Sequence, residues 1–143
     1  RPPRSTLFPY TTLFRSLVID ISDNGGGGGY KLDSLLPYKG KIAVLISPRC
    51  FSAGETYARD LVNQCGARLF GSTTAGSSSE KSTIDLPRNL GKIIISTRSR
   101  TGIKKCIEFN GIEPDEEVLY DLDDLAKGES TLIRKAVEWL KKK

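Results

Sequence analysis

Two short apolar runs constrain this chain more than any other feature: Leu17-Val18-Ile19-Asp20-Ile21 and Ile42-Ala43-Val44-Leu45-Ile46. Runs of this length, rich in branched side chains and bounded by turn residues, read as buried strands. After Pro48 the pattern changes period. Ala53, Tyr57, Ala58, Leu61, Val62 and Cys65 recur at helical spacing, which predicts an amphipathic helix over about Ser52 to Cys65. Arg68-Leu69-Phe70 is a third short strand, and Lys31 to Tyr38 has room for one or two helical turns limited by Pro37. Ser72 to Glu80 is a polar loop; alternation predicts strands at Thr83 to Leu86 and in part at Ile93 to Thr97, and Lys104 to Phe109 reads as a further strand. Asn110-Gly111 and Pro114-Asp115 are turn signals. From about Ser130, Leu132, Ile133, Ala136, Val137 and Leu140 share one face of a closing helix. Strands alternating with helices predict an α/β domain built on a parallel sheet.

Arg1 to Ser16, RPPRSTLFPYTTLFRS, back-translates without a mismatch to the universal adapter oligonucleotide of a short-read sequencing platform. Residues 1–16 are therefore set aside from fold reasoning as a non-native segment. The expectation is that the natural chain begins near Leu17, inside a strand, with its own N-terminus missing. Setting Arg1, Arg4 and Arg15 aside leaves 19 of the 22 basic residues against 17 acidic ones, so a formal charge of +5 falls to +2. That balance gives no support to a nucleic-acid or anionic-membrane partner.

With 143 residues, 38% hydrophobic and 27% charged, one domain with a core is feasible. No run approaches the roughly 18 apolar residues that a membrane span needs. Three cysteines, no C-x-x-C pair and no histidine speak against a disulfide scaffold and against a zinc site. The missing histidine also means that no Ser-His or Cys-His pair can form within these residues.

The five glycines Gly25 to Gly29 follow a predicted strand. Phosphate-loop chemistry needs Gly-Lys-Ser/Thr entering a helix, but Tyr30 follows the last glycine. A dinucleotide fingerprint needs an acid on the next strand, and Ile42 to Ile46 has none. A different use fits better: bare glycine amides at a strand end can face a developing oxyanion. Ser52 is the second focus. Ser52-x-x-Glu55 reads first as a capping box; the functional reading, compatible with it, is a nucleophile at a helix N-terminus, where the Ala53 amide could hold negative charge. It is not the G-x-S-x-G elbow, since position 50 is Cys50. Cys65 reads as core, and Cys50 as a residue that could line the site.

Four motifs then occur in order: Asp20-Ile21-Ser22-Asp23-Asn24-Gly25-Gly26-Gly27; Ser52-Ala53-Gly54-Glu55; Gly71-Ser72-Thr73-Thr74-Ala75-Gly76; and Glu108-Phe109-Asn110-Gly111-Ile112-Glu113-Pro114-Asp115-Glu116-Glu117-Val118. Together they resemble the C-terminal-processing serine peptidase family, which includes the tail-specific proteases and the tricorn protease core. The resemblance implies a crotonase-like α/β fold (the ClpP/crotonase type), N-terminally truncated, with residues 17–143 as the C-terminal part of a catalytic domain. It makes Ser52 the nucleophile and the backbone N–H groups of Gly26 and Ala53 the oxyanion donors. One branch of the family activates its serine with a lysine directly after the glycine of the third motif; here that residue is Ser77, and the nearby Lys81 is unaligned. The tricorn-like branch uses a histidine with a glutamate, which Glu108 matches. Ser22 and Ser72 stand where the family has arginine and glutamate, and Gly29 to Lys41 is shorter than the family's connection.

The function expected is serine-type peptidase activity on polypeptide substrates, with a histidine base supplied from outside this segment and no metal or cofactor. The segment alone is expected to be inactive, to expose apolar edges and to fold poorly. The resemblance further suggests export or a periplasmic place in bacteria. The alternative is a peptide-binding module of the same fold that has lost its base; a crotonase-type enzyme acting on thioesters is disfavoured because that chemistry needs no serine nucleophile.

Overall fold

The structure, a computed structural model, describes residues 15–33, 35–36 and 38–142. Strand β1 (Ser16–Asp20) pairs in parallel with β2 (Lys41–Ile46), β2 with β3 (Arg68–Gly71), and β3 with the two-residue β6 (Glu116–Glu117), giving the order β1-β2-β3-β6. Between β2 and β3 runs helix α1 (Ala53–Cys65), and helices α2 (Leu122–Ala126) and α3 (Thr131–Lys141) close the chain. The parallel α/β class expected from the sequence is the class observed.

Pleating divides the centre of the sheet between two cores. Ile42, Val44 and Ile46 of β2 pack with Ala58 and Leu61 of α1, while Ala43 and Leu45 point the other way, towards Phe70, Leu132 and Ala136. All five β2 residues from Ile42 to Ile46 are at most 1% exposed, which explains why this run shows no polar alternation. Each fully buried aliphatic side chain contributes about 1.5–3 kcal/mol. Trp139 of α3 meets Phe70 at 5.6 Å between ring centroids and seals the second core.

The edges differ from the sequence reading in instructive ways. Strand β1 ends one residue early, although the Ile21 N–H still bonds the Leu45 carbonyl at 3.1 Å; the chain then bends, with Asn24 N–H returning to the Ile21 carbonyl. Ser16, the last of the residues set aside above, pairs with Lys41 through backbone alone. The segment from Lys31 to Tyr38 forms turns rather than helix in its described residues, with Ser34 and Pro37 lying outside them. Lys104 to Phe109 is not a strand. A bridge joins Thr101 to Cys106, and the Asn110 and Gly111 N–H groups both fold back onto the Ile107 carbonyl, so the turn signal of Asn110-Gly111 captures the residues before it. The alternating segments do form a hairpin, β4 (Glu80–Asp85) against β5 (Lys92–Arg98), around a 3₁₀ turn at Pro87–Asn89. This hairpin stands away from the main sheet, and its Ile84, Ile93, Ile94 and Ile95 are exposed.

Gly71 ends β3 with φ 126°, and a Cβ there would lie 2.0 Å from the Ile46 carbonyl oxygen. Gly71→Ala is therefore expected to cost at least about 2 kcal/mol, combining a left-side φ with a backbone clash in the central sheet. Urea titration followed by far-ultraviolet circular dichroism measures it.

Candidate functional site

Helix α1 begins where β2 has left the sheet, and Ser52 is its N-cap. The backbone of Ser52 has φ 56° and ψ −119°, a conformation costing an L-residue about 1–3 kcal/mol and tolerated only where surroundings impose it. Those surroundings are on the glycine bend. Phe51 N–H donates to the Asn24 carbonyl at 3.1 Å, and Gly26 lies so close that a Cβ on it would be 2.7 Å from the Ser52 Cβ. Only glycine allows that approach, and its φ of 84° adds a second reason. The turn at the helix start is sharp, and Cys50 stands two residues before Ser52.

Ser52 and Ala53 border an open cavity of about 350 Å³, together with Gly27, Gly28, Gly29 and Tyr30. Ala53 is the first helical residue, so its N–H has no partner within the helix. Neither the Ala53 nor the Gly27 N–H has an acceptor among the described residues. The Gly26 N–H is engaged, donating to Asn24 Oδ1 at 2.9 Å. The bend brings Gly26 against Ser52, and the amides of the glycines after it along the cavity, Gly27, Gly28 and Gly29, have no acceptor among the described residues.

Beneath this surface lies Glu55, fully buried. The expected capping box forms: the Ser52 N–H donates to Glu55 Oε2 at 3.1 Å, and the Ser52 side chain faces the Glu55 N–H, which itself bonds the Ser52 carbonyl at 3.1 Å. The carboxylate does more than cap. It also accepts from Thr74 Oγ1 at 2.6 Å, Gly76 N at 2.7 Å, Ser77 N at 3.0 Å and Ser78 Oγ at 2.7 Å. One buried charge therefore fastens the helix start to the loop after β3. The Ser77 carbonyl completes the contact by accepting from Ser52 N–H at 3.1 Å, so the position that carries lysine in one family branch touches the Ser52 backbone here. Lys81 sits on β4, exposed.

Glu108 enters through Ser78. Glu108 Oε2 accepts the Ser78 N–H at 3.1 Å, and Ser78 Oγ donates to the Ser52 carbonyl at 2.8 Å. Glu108 is half-buried, and no direct bond joins it to the Ser52 side chain among the described residues. Cys50 does not line the cavity. It is fully buried, and burial, reinforced by the charge of Glu55, pushes its thiol up to about 12. Ser22 and Ser72 border a different opening, of about 340 Å³, with Arg49 and Tyr120.

The far end of the glycine run is tied to α1 as well. Tyr30 Oη donates to Asp60 Oδ2 at 2.5 Å, and Arg59 Nε to Asp60 Oδ1 at 2.7 Å. Burial works to raise the Asp60 pKa, but the bonds from Arg59 and Tyr30 outweigh it and hold the carboxyl below its usual value. Among the described residues no three His, Cys, Asp or Glu side chains gather to hold a metal, and no helix is long and apolar enough to cross a membrane.

Residues 28–118 match peptidase family S41. The chain belongs to peptidase family S41. Its fold recurs in solved structures: one from Parabacteroides merdae ATCC 43184 (TM-score 0.73, 20% identity, 90% of this chain and 52% of that one) and the tricorn protease (TM-score 0.67, 20% identity, 89% and 15%). It also recurs in the photosystem II D1 C-terminal processing protease (TM-score 0.56, 19% identity, 78% and 38%). This S41 chain spans about half the length of the first of these structures and less of the other two. No curated protein matches it in sequence.

The sequence reading missed Ser78 and Thr74, and it gave Glu55 a local role only. The signal was there in part: a run of small hydroxyl residues opposite a lone helical glutamate supplies donors for a carboxylate. Glu55→Ala removes the shared acceptor of donors from five other residues, and is expected to destabilise this S41 chain by about 3 kcal/mol or more, with Glu55→Gln less harmful. Chemical denaturation of the two variants tests the order. Thiol labelling gives a second check: Cys106, exposed, should react at neutral pH within minutes, while Cys50 should stay unreactive until the chain is unfolded.

Proposed function

We propose that this chain carries the nucleophile half of a serine peptidase site acting on polypeptides. The observation that carries the reading is Ser52: a serine in a strained helix-start conformation at the mouth of a cavity, beside main-chain N–H groups that have no acceptor among the described residues. In the reaction, Ser52 Oγ attacks the scissile carbonyl carbon while its proton passes to a base. The carbonyl oxygen becomes an oxyanion held by the Ala53 N–H and by the glycine bend, where Gly27 replaces Gly26 as donor because the Gly26 N–H already serves Asn24. Each such donor is worth on the order of 3 kcal/mol in the transition state. Collapse of the tetrahedral intermediate breaks the C–N bond, the amine leaves with the proton from the base, and water then releases the acyl group.

Glu108 takes a positioning part. It holds Ser78, and Ser78 holds the carbonyl of the nucleophile residue itself. With no histidine among the 143 residues, the base of this mechanism is a histidine supplied from beyond them. Without it, the hydroxyl remains a poor nucleophile and the chain alone turns over no substrate.

Supplying the base externally tests this reading on the chain as it stands. With a fluorophosphonate and added imidazole, intact-mass and peptide mapping should find one adduct, on Ser52, and none in Ser52→Ala. In a protein that includes the base, Ser52→Ala should lower peptide hydrolysis at least about a thousandfold while peptides still bind. Peptide binding with no Ser52 adduct under any base would favour the non-catalytic binding module instead.

A further inference from the structure

Arg100 is the only charged residue among those bordering the Ser52 cavity, and its guanidinium makes no hydrogen bond or ion pair among the described residues. Its place is built rather than accidental. The Arg100 carbonyl accepts the Ile107 N–H at 2.8 Å, and the next carbonyl, of Thr101, accepts from Arg59 Nη1 of α1 at 2.8 Å. The helix whose start carries Ser52 thus also holds the backbone at Thr101, the residue after Arg100. On the opposite root of the hairpin, Ser79 Oγ and Ser96 Oγ lie 2.7 Å apart, and Ser79 borders the same cavity.

The charges near this guanidinium leave it free to act on a ligand. Glu55 is buried below the cavity floor, with its oxygens occupied by five neighbouring donors. Glu108 is engaged by the Ser78 N–H. The unengaged amides of Ala53 and Gly27 add partial positive charge on the remaining walls. A cavity with one cation, several free N–H groups and no bordering acid favours an anion, and a planar guanidinium suits a carboxylate.

Resting on the peptidase reading above, we propose that Arg100 is a specificity residue that makes this site prefer polypeptides bearing a carboxylate next to the bond seated at Ser52. That carboxylate is an acidic side chain or the end of the chain itself; the chemistry recognised is the same. Because Arg100 is exposed, the gain is modest, about three- to fivefold in Kd, and falls with salt.

The test uses the 143-residue chain and three otherwise identical short apolar peptides, titrated by calorimetry. One is blocked at both ends with a central glutamate, one is blocked with glutamine there, and one has glutamine and a free C-terminal carboxylate. Either carboxylate peptide should bind about three- to fivefold tighter than the neutral one at low salt, and which of them gains identifies the source of the carboxylate. Arg100→Gln should bring the ratio to one and Arg100→Lys should keep part of it. Gly28→Trp places a ring in the cavity at a position with open space around its Cβ, and should abolish binding of all three peptides. Equal binding of the three peptides, lost in Gly28→Trp, overturns the charge preference and leaves the peptidase reading standing. A preference that survives Arg100→Gln likewise overturns the role of Arg100 alone. Binding untouched by Gly28→Trp, or no binding of any peptide, overturns both.

Discussion

A single buried carboxylate holds the site together. Glu55 is removed from water at the first turn of α1, where an ionised group is tolerable only if its oxygens are saturated with donors. Those donors come from the N-cap residue Ser52 and from the loop residues Thr74, Gly76, Ser77 and Ser78. The loop cannot shift away from the helix without stranding a charge. Thr74 passes the constraint on, its Oγ1 accepting the Ile112 N–H at 2.7 Å, so the segment carrying Glu108 is held by the same chain of bonds.

This arrangement explains how an unfavourable backbone persists at Ser52. Strain of about 1–3 kcal/mol survives only when several stronger contacts leave no alternative. Here the Ser52 N–H is claimed by both Glu55 and the Ser77 carbonyl, its carbonyl by Ser78, and its Cβ side by Gly26. With the main chain so engaged, the Ser52 side chain is held at the helix start beside the cavity.

The hairpin shows what the chain does not stabilise by itself. A two-stranded ribbon is marginal alone, and β4 and β5 leave four isoleucines exposed. Its roots, however, are fixed: Ser78 and Ser79 precede β4, while Arg100 and Thr101 follow β5 and are held from α1 and Ile107. The residues at the base of the ribbon are thus tied to α1 and to Ile107.

Local pattern determined much of this protein. Unbroken branched runs made β1 and β2 strands, and helical spacing from Ala53 to Cys65 made α1. What failed were elements whose local signal competed with distant partners. Lys104 to Phe109 carries strand-like residues, but Asn110-Gly111 and the burial of Ile107 turned it back on itself, while Glu116-Glu117 has no strand propensity and is brought beside β3 by bonds on either side, Asp115 with Leu69 and Val118 N–H with the Gly71 carbonyl. Periodicity reports on a residue's own neighbours along the chain. The engagement of the Gly26 N–H is a local bond to Asn24, two residues back, whereas the burial of Cys50 and the saturation of Glu55 depend on segments about twenty residues apart closing in three dimensions, and only the tertiary structure could decide those.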